Sequence, residues 1–176
     1  MQTLRNDELI KLTGQSRLRA YRPGALQKWL DCGLTLAQAQ DQAKGDLISD
    51  ITVKNLIVTL GKGLVADLLI DVVGTGLTYH AIGTSATAPA LTDTVLGTEA
   101  ARKAFTVRGR AGNVVSLSVF YTKAECTFNI KEAGIFGGAL ASSTPGSGTL
   151  FSHYAQAEDN SAGTKDLTFD YDLTIN

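Results

Sequence analysis

The last strand-like run of the chain, residues 166–175, constrains the fold most. Its apolar Phe169, Tyr171, Leu173 and Ile175 alternate with polar Thr168, Asp170, Asp172 and Thr174. A period of two residues is typical of a β-strand that buries one face and leaves the other in water. Because a sheet cannot bury that face alone, the run predicts a second layer packed against it.

Five further β-prone runs precede this one and are separated by turn-forming residues. They read LTYHAIG, RKAFTVRG, NVVSLSVFYT, CTFNIKEAGIFG and GTLFSHYAQA, and the chain has 18 glycines. Six short strands with Gly-rich turns indicate a mainly β fold whose C-terminal part is a jelly-roll-like β-sandwich. Neighbouring runs are expected to pair as meanders or Greek keys.

The N-terminal part of the chain has a different pattern. Residues 1–24 are polar and basic with weak helical periodicity, and we expect an arm that is ordered mainly by contact with partners. Residues 25–44 have helical spacing, with Thr35 as the N-cap of a second short helix. Residues 53–70 favour a helix, and a strand in their first half stays open as the alternative.

We therefore divide the chain into two parts. Residues 1–50 form a basic, α-helical N-terminal arm or subdomain, and residues 51–176 form a domain made of one helix and the β-sandwich. The charge changes sign between the two ends, because the first 30 residues are basic and the last 20 are acidic. Two explanations of this pattern have equal weight. One is chance, and the other is an arm that docks on an acidic neighbour through Arg17, Arg19 and Arg22.

Composition limits the classes of partner. Apolar residues make up 44% and charged residues 19% of the chain, as in globular proteins. A net charge of −1 gives no basic excess for nucleic-acid phosphates, and charged residues interrupt every long apolar stretch. Cys32 and Cys126 stand alone, without metal-ligand spacing. We expect no nucleic acid, membrane, metal or cofactor as a partner.

No motif predicts catalysis. Gly61 and Gly63 imitate a dinucleotide-binding loop, but no acidic residue follows about 20 positions later at a strand end. We interpret them as glycines of a helix that packs closely on a neighbour. His80 and His153 are the only histidines, and because no GxSxG elbow exists, both are predicted to be structural. The chain is therefore not expected to be an enzyme.

Several motifs follow one another over residues 55–175. The helix-like NLIVTLGKGLVADLL precedes IGT, a Thr/Asp-rich loop, L-x-x-E-x-x-R at 96–102, EAGIF at 132–136 and GTLF at 148–151. The run NSAGTKDLTFDYDLTI closes the series at 160–175. This order resembles a broad group of small tailed-bacteriophage virion structural proteins, which includes head decoration and tail collar fibre proteins.

The resemblance implies a location in the virion and a role in assembly. The most specific expectation is a capsid decoration or cement protein that stabilises the head through contacts with the major capsid protein or other virion proteins. A homo-oligomer is expected, with a trimer favoured by analogy. A tail, collar or fibre-anchoring protein is the alternative within the class, and a receptor- or carbohydrate-binding module is the alternative from another class.

The candidate site residues are structural or interface residues. Glu99 and Arg102 are expected to form a charge pair on one helical turn and to hold the long loop of residues 86–101 against the sandwich. Glu132, in an otherwise apolar run, needs a buried partner, for which Arg102 is the first choice. Trp29 is a further interface candidate, with Arg17, Arg19 and Arg22 of the arm.

Overall fold

A computed structural model describes residues 11–70 and 76–176 of the chain. Its ten strands are β1 (Leu12–Tyr21), β2 (Leu47–Lys54), β3 (Leu56–Ile57), β4 (Leu77–Gly83), β5 (Glu99–Ala104), β6 (Val107–Ala111), β7 (Val114–Tyr121), β8 (Asn129–Gly137), β9 (Thr149–Asp159) and β10 (Asp166–Ile175). The α-helices in these residues are α1 (Gln27–Asp31), α2 (Leu36–Gln42) and α3 (Thr59–Leu69). The protein is mainly β, as the sequence predicts.

The strands form two five-stranded antiparallel sheets. The strand order is β2-β1-β10-β7-β6 in the first sheet and β3-β9-β8-β4-β5 in the second. Both sheets contribute to one core, in which Leu18, Leu117 and Phe169 of the first sheet pack with Ile82 and Ile135 of the second. Apolar side chains at every second position therefore supply the two-layer packing that the pattern in β10 requires.

The arm predicted for residues 1–24 is wrong where the structure describes it. Residues 12–21 are β1, which lies between β10 and β2 and is hydrogen-bonded to both. Ser16, Leu18 and Ala20 are buried, whereas Arg17 is exposed, so this segment has a two-residue period. Two of the three inward residues are small or polar, which made the period hard to recognise. The rest of the predicted arm, residues 1–10, lies outside the described residues.

The helical predictions have two outcomes. Thr35 caps α2 as predicted, since its hydroxyl accepts from the Gln38 N–H and the Gln38 side chain accepts from the Thr35 N–H. The helix predicted from residue 53 begins only at residue 59. The β-branched Ile51, Thr52 and Val53 belong to β2, as the strand alternative required, because such residues favour extended backbone.

Helix α3 packs on the second sheet through a glycine. A Cβ atom at Gly61 would overlap the backbone of Phe151 in β9, whereas nothing lies within 4 Å of one at Gly63. The close-packing interpretation is therefore confirmed for Gly61 and wrong for Gly63.

Candidate functional site

A group of acidic and basic side chains lies under the long loop of residues 84–98, between β4 and β5. Glu132 of β8 is buried there. Its carboxylate accepts hydrogen bonds from the backbone N–H groups of Ser85 at 3.2 Å, Gly97 at 2.9 Å and Thr98 at 2.7 Å. One side chain therefore binds both ends of the loop. These three donors replace the water that the buried carboxylate loses.

His153 of β9 joins Glu132 to the middle of the same loop. Its Nε2 lies 3.0 Å from a Glu132 oxygen, and its Nδ1 lies 2.7 Å from Asp93 Oδ2. An ionised carboxylate only accepts hydrogen bonds, so a ring nitrogen of His153 that carries a proton donates to the carboxylate it faces. The Ala90 N–H is the main cause that lowers the pKa of Asp93, and the hydrogen bond from His153 lowers it further. The Asp93 side chain also closes a turn here, by accepting from the Ala90 N–H at 2.7 Å.

A second buried ion pair fixes a different loop, residues 138–148. Arg102 binds Glu99 through two contacts, Nε to Oε1 at 2.6 Å and Nη2 to Oε2 at 2.8 Å. Its remaining nitrogen Nη1 donates to the carbonyl of Ser147 at 2.6 Å, and the guanidinium lies 3.9 Å from the Phe136 ring centre. The Gly146 N–H donates to Glu99 at 3.1 Å. A pair of strand residues thus holds the loop through its backbone.

The predicted Glu99–Arg102 pair exists, but three details of the prediction are wrong. Both residues lie in strand β5 rather than in a helical turn. Opposite Ile82 and Gly83, β5 carries one extra residue, because Ile82 pairs with Ala101 and Gly83 pairs with Glu99. This bulge shifts the alternation and lets residues three apart meet. The pair holds residues 138–148 rather than 86–101, and the buried partner of Glu132 is His153 rather than Arg102.

The arginines predicted to dock on an acidic neighbour are mostly paired within the chain. Arg17 binds Asp50 of β2, with Nε 2.7 Å from Oδ1, and Arg19 binds Asp170 of β10 at 2.5 Å. Both lie on the outer face of the first sheet. Arg22 is exposed, and Trp29 is partly buried, with Lys28 Nζ 5.5 Å from its ring centre. The structure therefore does not bring the four N-terminal candidates into one site.

His80 lies in the centre of the core, where sequence reasoning placed no site. Its Nε2 is 2.8 Å from the hydroxyl of Tyr154 and its Nδ1 is 3.2 Å from that of Tyr121. Burial lowers the pKa of His80 to about 3, so the ring is neutral at ordinary pH. A neutral ring between two hydroxyls links β4, β7 and β9 through hydrogen bonds that need no charge.

The cysteines are far apart in environment as well as in sequence. Cys32 is exposed and Cys126 is buried. Burial raises the pKa of the Cys126 thiol to about 11, so it stays protonated and is a poor nucleophile. Across residues 11–70 and 76–176, no three His, Cys, Asp or Glu side chains are placed to hold a metal ion.

The contacts of Asp93 and His153 were missed from the sequence, although signals for them exist. Glu132 is an acid in an apolar run, and His153 lies in the apolar run LFSHY of the next strand. A buried acid and a histidine on strands that pair are candidates for contact, and β8 does pair with β9.

Comparison with protein families, with curated proteins and with solved structures finds no match to this chain. Within the described part of the chain, no helix has the length and apolar character needed to cross a membrane. The case for a function therefore depends on the motifs and on where the fold places them.

Proposed function

We propose that the chain is a structural component of a tailed-bacteriophage virion, most specifically a capsid decoration or cement protein. The motif order described above is the first support. The placement of the motif residues is the second, because IGT, L-x-x-E-x-x-R and EAGIF meet around Glu132 and Arg102. These residues bind backbone groups of two loops, which is a structural use of charge.

The observation that carries the proposal is that both held loops present exposed apolar side chains. Leu91 and Val95 are exposed on the loop of residues 84–98, and Leu140 is 84% exposed on the loop of residues 138–148. Apolar side chains on held loops are typical of a binding surface. A loop already fixed by buried ion pairs loses little conformational freedom on binding, so more of the contact energy remains for association.

The partner that fits this proposal is the major capsid protein or another virion protein. Many copies on one particle stabilise it even when each contact is weak, because the contacts act together. A trimer, taken by analogy from the resemblance, and the jelly-roll class of sandwich, taken from the strand pattern, are parts of the same proposal. A tail, collar or fibre-anchoring position uses the same loops and differs only in its location on the particle.

The experiment that tests the proposal begins with virions of the phage whose genome carries this chain. Mass spectrometry of purified particles is expected to find the chain, and an image reconstruction is expected to place it on the head with its held loops against the shell. Density along the tail alone moves it to the alternative position. If the purified particles lack the chain, the proposal is wrong.

Two matched variants test the loop surface. Leu140→Ser removes an apolar side chain from a held loop, whereas Leu69→Ser removes one of similar exposure, 78%, from the end of α3. We expect fewer copies per particle with Leu140→Ser and the wild-type number with Leu69→Ser. Equal loss with both variants contradicts a binding role for the loops.

A further inference from the structure

One side of the sandwich has two open strand edges with a cleft between them. In the first sheet, β2 lies at the edge and, among residues 11–70 and 76–176, pairs with β1 alone. In the second, β3 covers β9 only at Ser152 and His153, so among the described residues no strand pairs with residues 154–159 on that side. The cleft between these edges has a volume of about 580 Å³. Its walls include Ile51, Val53, Ile130, Ala155, Gln156 and Glu158.

Gln156 is the unusual residue of this cleft. It is 1% exposed, and neither its Nε2 nor its Oε1 has a hydrogen-bond partner within the described part of the chain. Buried polar groups without partners are rare, because each one loses its hydrogen bonds to water and gains nothing. A side-chain amide with both ends unpaired at the wall of a cleft therefore indicates a ligand that supplies one donor and one acceptor.

The two residues that flank Gln156 on the buried face of β9 have hydrogen-bond partners. The Ser152 hydroxyl, further along that face, has none in the described residues and lies away from the cleft. Tyr154 and Glu158 alternate with Gln156 on the buried face of β9. The Tyr154 hydroxyl is bonded to His80 and Ser16. Glu158 accepts from Ser49 of β2 at 2.9 Å and from Lys165 at 2.5 Å. Of these three positions, Gln156 alone lacks a partner among the described residues, and it borders the cleft.

The backbone of β9 is also irregular at this residue. Ile130 pairs with Glu158 and Glu132 pairs with Ala155, so β9 has one more residue than β8 in this interval. An extra residue is a β-bulge, and bulges are frequent beside binding sites because they redirect a side chain. Here the bulge falls at residues 156–157, in the ladder with β8 and opposite the open edge of β9.

We propose that this cleft binds an extended segment of a partner polypeptide, which adds as a strand along the open edge of β9. The peptide group is the chemistry that matches Gln156, since its N–H donates to Oε1 and its carbonyl accepts from Nε2. Strand edges present further unpaired backbone groups of the same kind. Apolar side chains at alternate positions of the segment meet Ile51, Val53 and Ile130.

The partner is a polypeptide other than the N-terminal segment of this chain. Residues 1–11 precede β1, and their apolar Leu4 is separated from the adjacent Leu9 and Ile10 by four polar residues. That spacing does not place apolar side chains at alternate positions of a strand. This inference is independent of the virion assignment, because it depends on Gln156 and the open edge of β9 and not on the exposed apolar side chains of the held loops.

The test uses a displayed library of random 12-residue peptides, selected on the full-length chain. We expect selected peptides with alternating apolar residues that slow amide hydrogen exchange in residues 154–159. Gln156→Met keeps the side-chain volume and removes the amide, so it weakens these peptides by about tenfold. The matched control Gln15→Met, on the outer face of β1, leaves their affinity unchanged.

The stability of the free chain gives a second readout. Removing an unpaired amide is expected to raise the melting temperature of Gln156→Met by about 2–4 °C. A lower melting temperature means that ordered water already satisfies the amide and overturns the inference. The inference is also overturned if the selection yields no peptide, or if the selected peptides bind Gln156→Met as tightly as the wild type. Competition by a synthetic peptide of residues 1–11 overturns the choice of partner.

Discussion

The protein contains two groups of paired basic and acidic side chains that differ in burial. In the loop cluster, which comprises Glu132, His153, Asp93, Glu99 and Arg102, the side chains of Arg102 and Glu99 are 1% and 7% exposed. In the outer row, which comprises Arg17, Asp50, Arg19 and Asp170, those of Arg17 and Asp50 are 51% and 30% exposed. Both pairs have two nitrogen–oxygen contacts, so geometry does not distinguish them.

The difference shows what each pair does. The outer row joins strands that the sheet ladder already holds together, and water screens its charges. The loop cluster binds backbone groups of segments that have no ladder of their own, and its members other than Asp93 are buried. Burying an ion pair costs desolvation free energy, and removing one partner of the buried pair costs more, because the other charge is then left unpaired. We therefore infer that the loop cluster fixes the loops and that the outer row contributes little to stability.

The largest expected effect on stability comes from removing one partner of the buried Glu99–Arg102 pair. Arg102→Met leaves Glu99 buried without its partner and removes the donor to Ser147, so we expect the free energy of unfolding to fall by about 3–5 kcal/mol. Urea denaturation followed by circular dichroism measures it. A loss below about 1 kcal/mol makes the two groups equivalent and removes the basis of the comparison.

Two glycines of α3 differ in their surroundings, because Gly61 lies against the backbone of β9 and Gly63 faces open space. In Gly61→Ala the new methyl group overlaps the Phe151 backbone, and we expect a loss of about 2–3 kcal/mol. Gly63→Ala is the control in the same helix, where open space and better helix propensity predict a gain of up to about 1 kcal/mol. Thermal unfolding of both variants checks the signs, and equal signs contradict the packing of α3.

His80, which is buried without a charged partner, is expected to make the stability of the fold depend on pH. The unfolded chain binds a proton at His80 near pH 6.5, whereas the folded chain does so only near pH 3 because burial lowers the pKa. Acid therefore favours the unfolded state, and we expect stability to fall by about 2 kcal/mol between pH 8 and pH 5 from this group. His80→Gln should flatten that part of the curve, as urea titrations at each pH will show. An unchanged slope in the variant contradicts a neutral, buried His80.

The smallest effect is expected from the outer row. Arg17→Met is the exposed counterpart of Arg102→Met and should cost less than about 1 kcal/mol. The cost should shrink further in 1 M salt, which screens exposed charges. A loss as large as that of Arg102→Met, measured in the same urea experiment, shows that burial does not set the difference between the two groups.

The sequence was sufficient for the parts of the fold with strong local patterns. Phe169, Tyr171 and Leu173 alternate clearly, and β10 and the two-layer architecture follow from them. Thr35 and Gln38 have the spacing of a capping box. Segment β1 was missed because Ser16 and Ala20 are weak markers of a buried face.

The loop cluster was only partly predictable, for a different reason. The pairing of Glu99 with Arg102 was expected from their spacing, but the bulge that brings them together in a strand has no signature in the sequence. His153 meets Glu132 because β8 and β9 pair in one register. Register depends on the packing of the whole sheet, so a sequence pattern names both residues without showing that they touch.

The central claim is that buried charges hold the loop of residues 84–98 as a fixed surface. Amide hydrogen exchange of Ser85, Gly97 and Thr98, the donors to Glu132, tests it most directly. The account predicts that these three amides exchange as slowly as those in the middle of β8, since they open only when the chain unfolds. Exchange at the rate of an unprotected loop would contradict it.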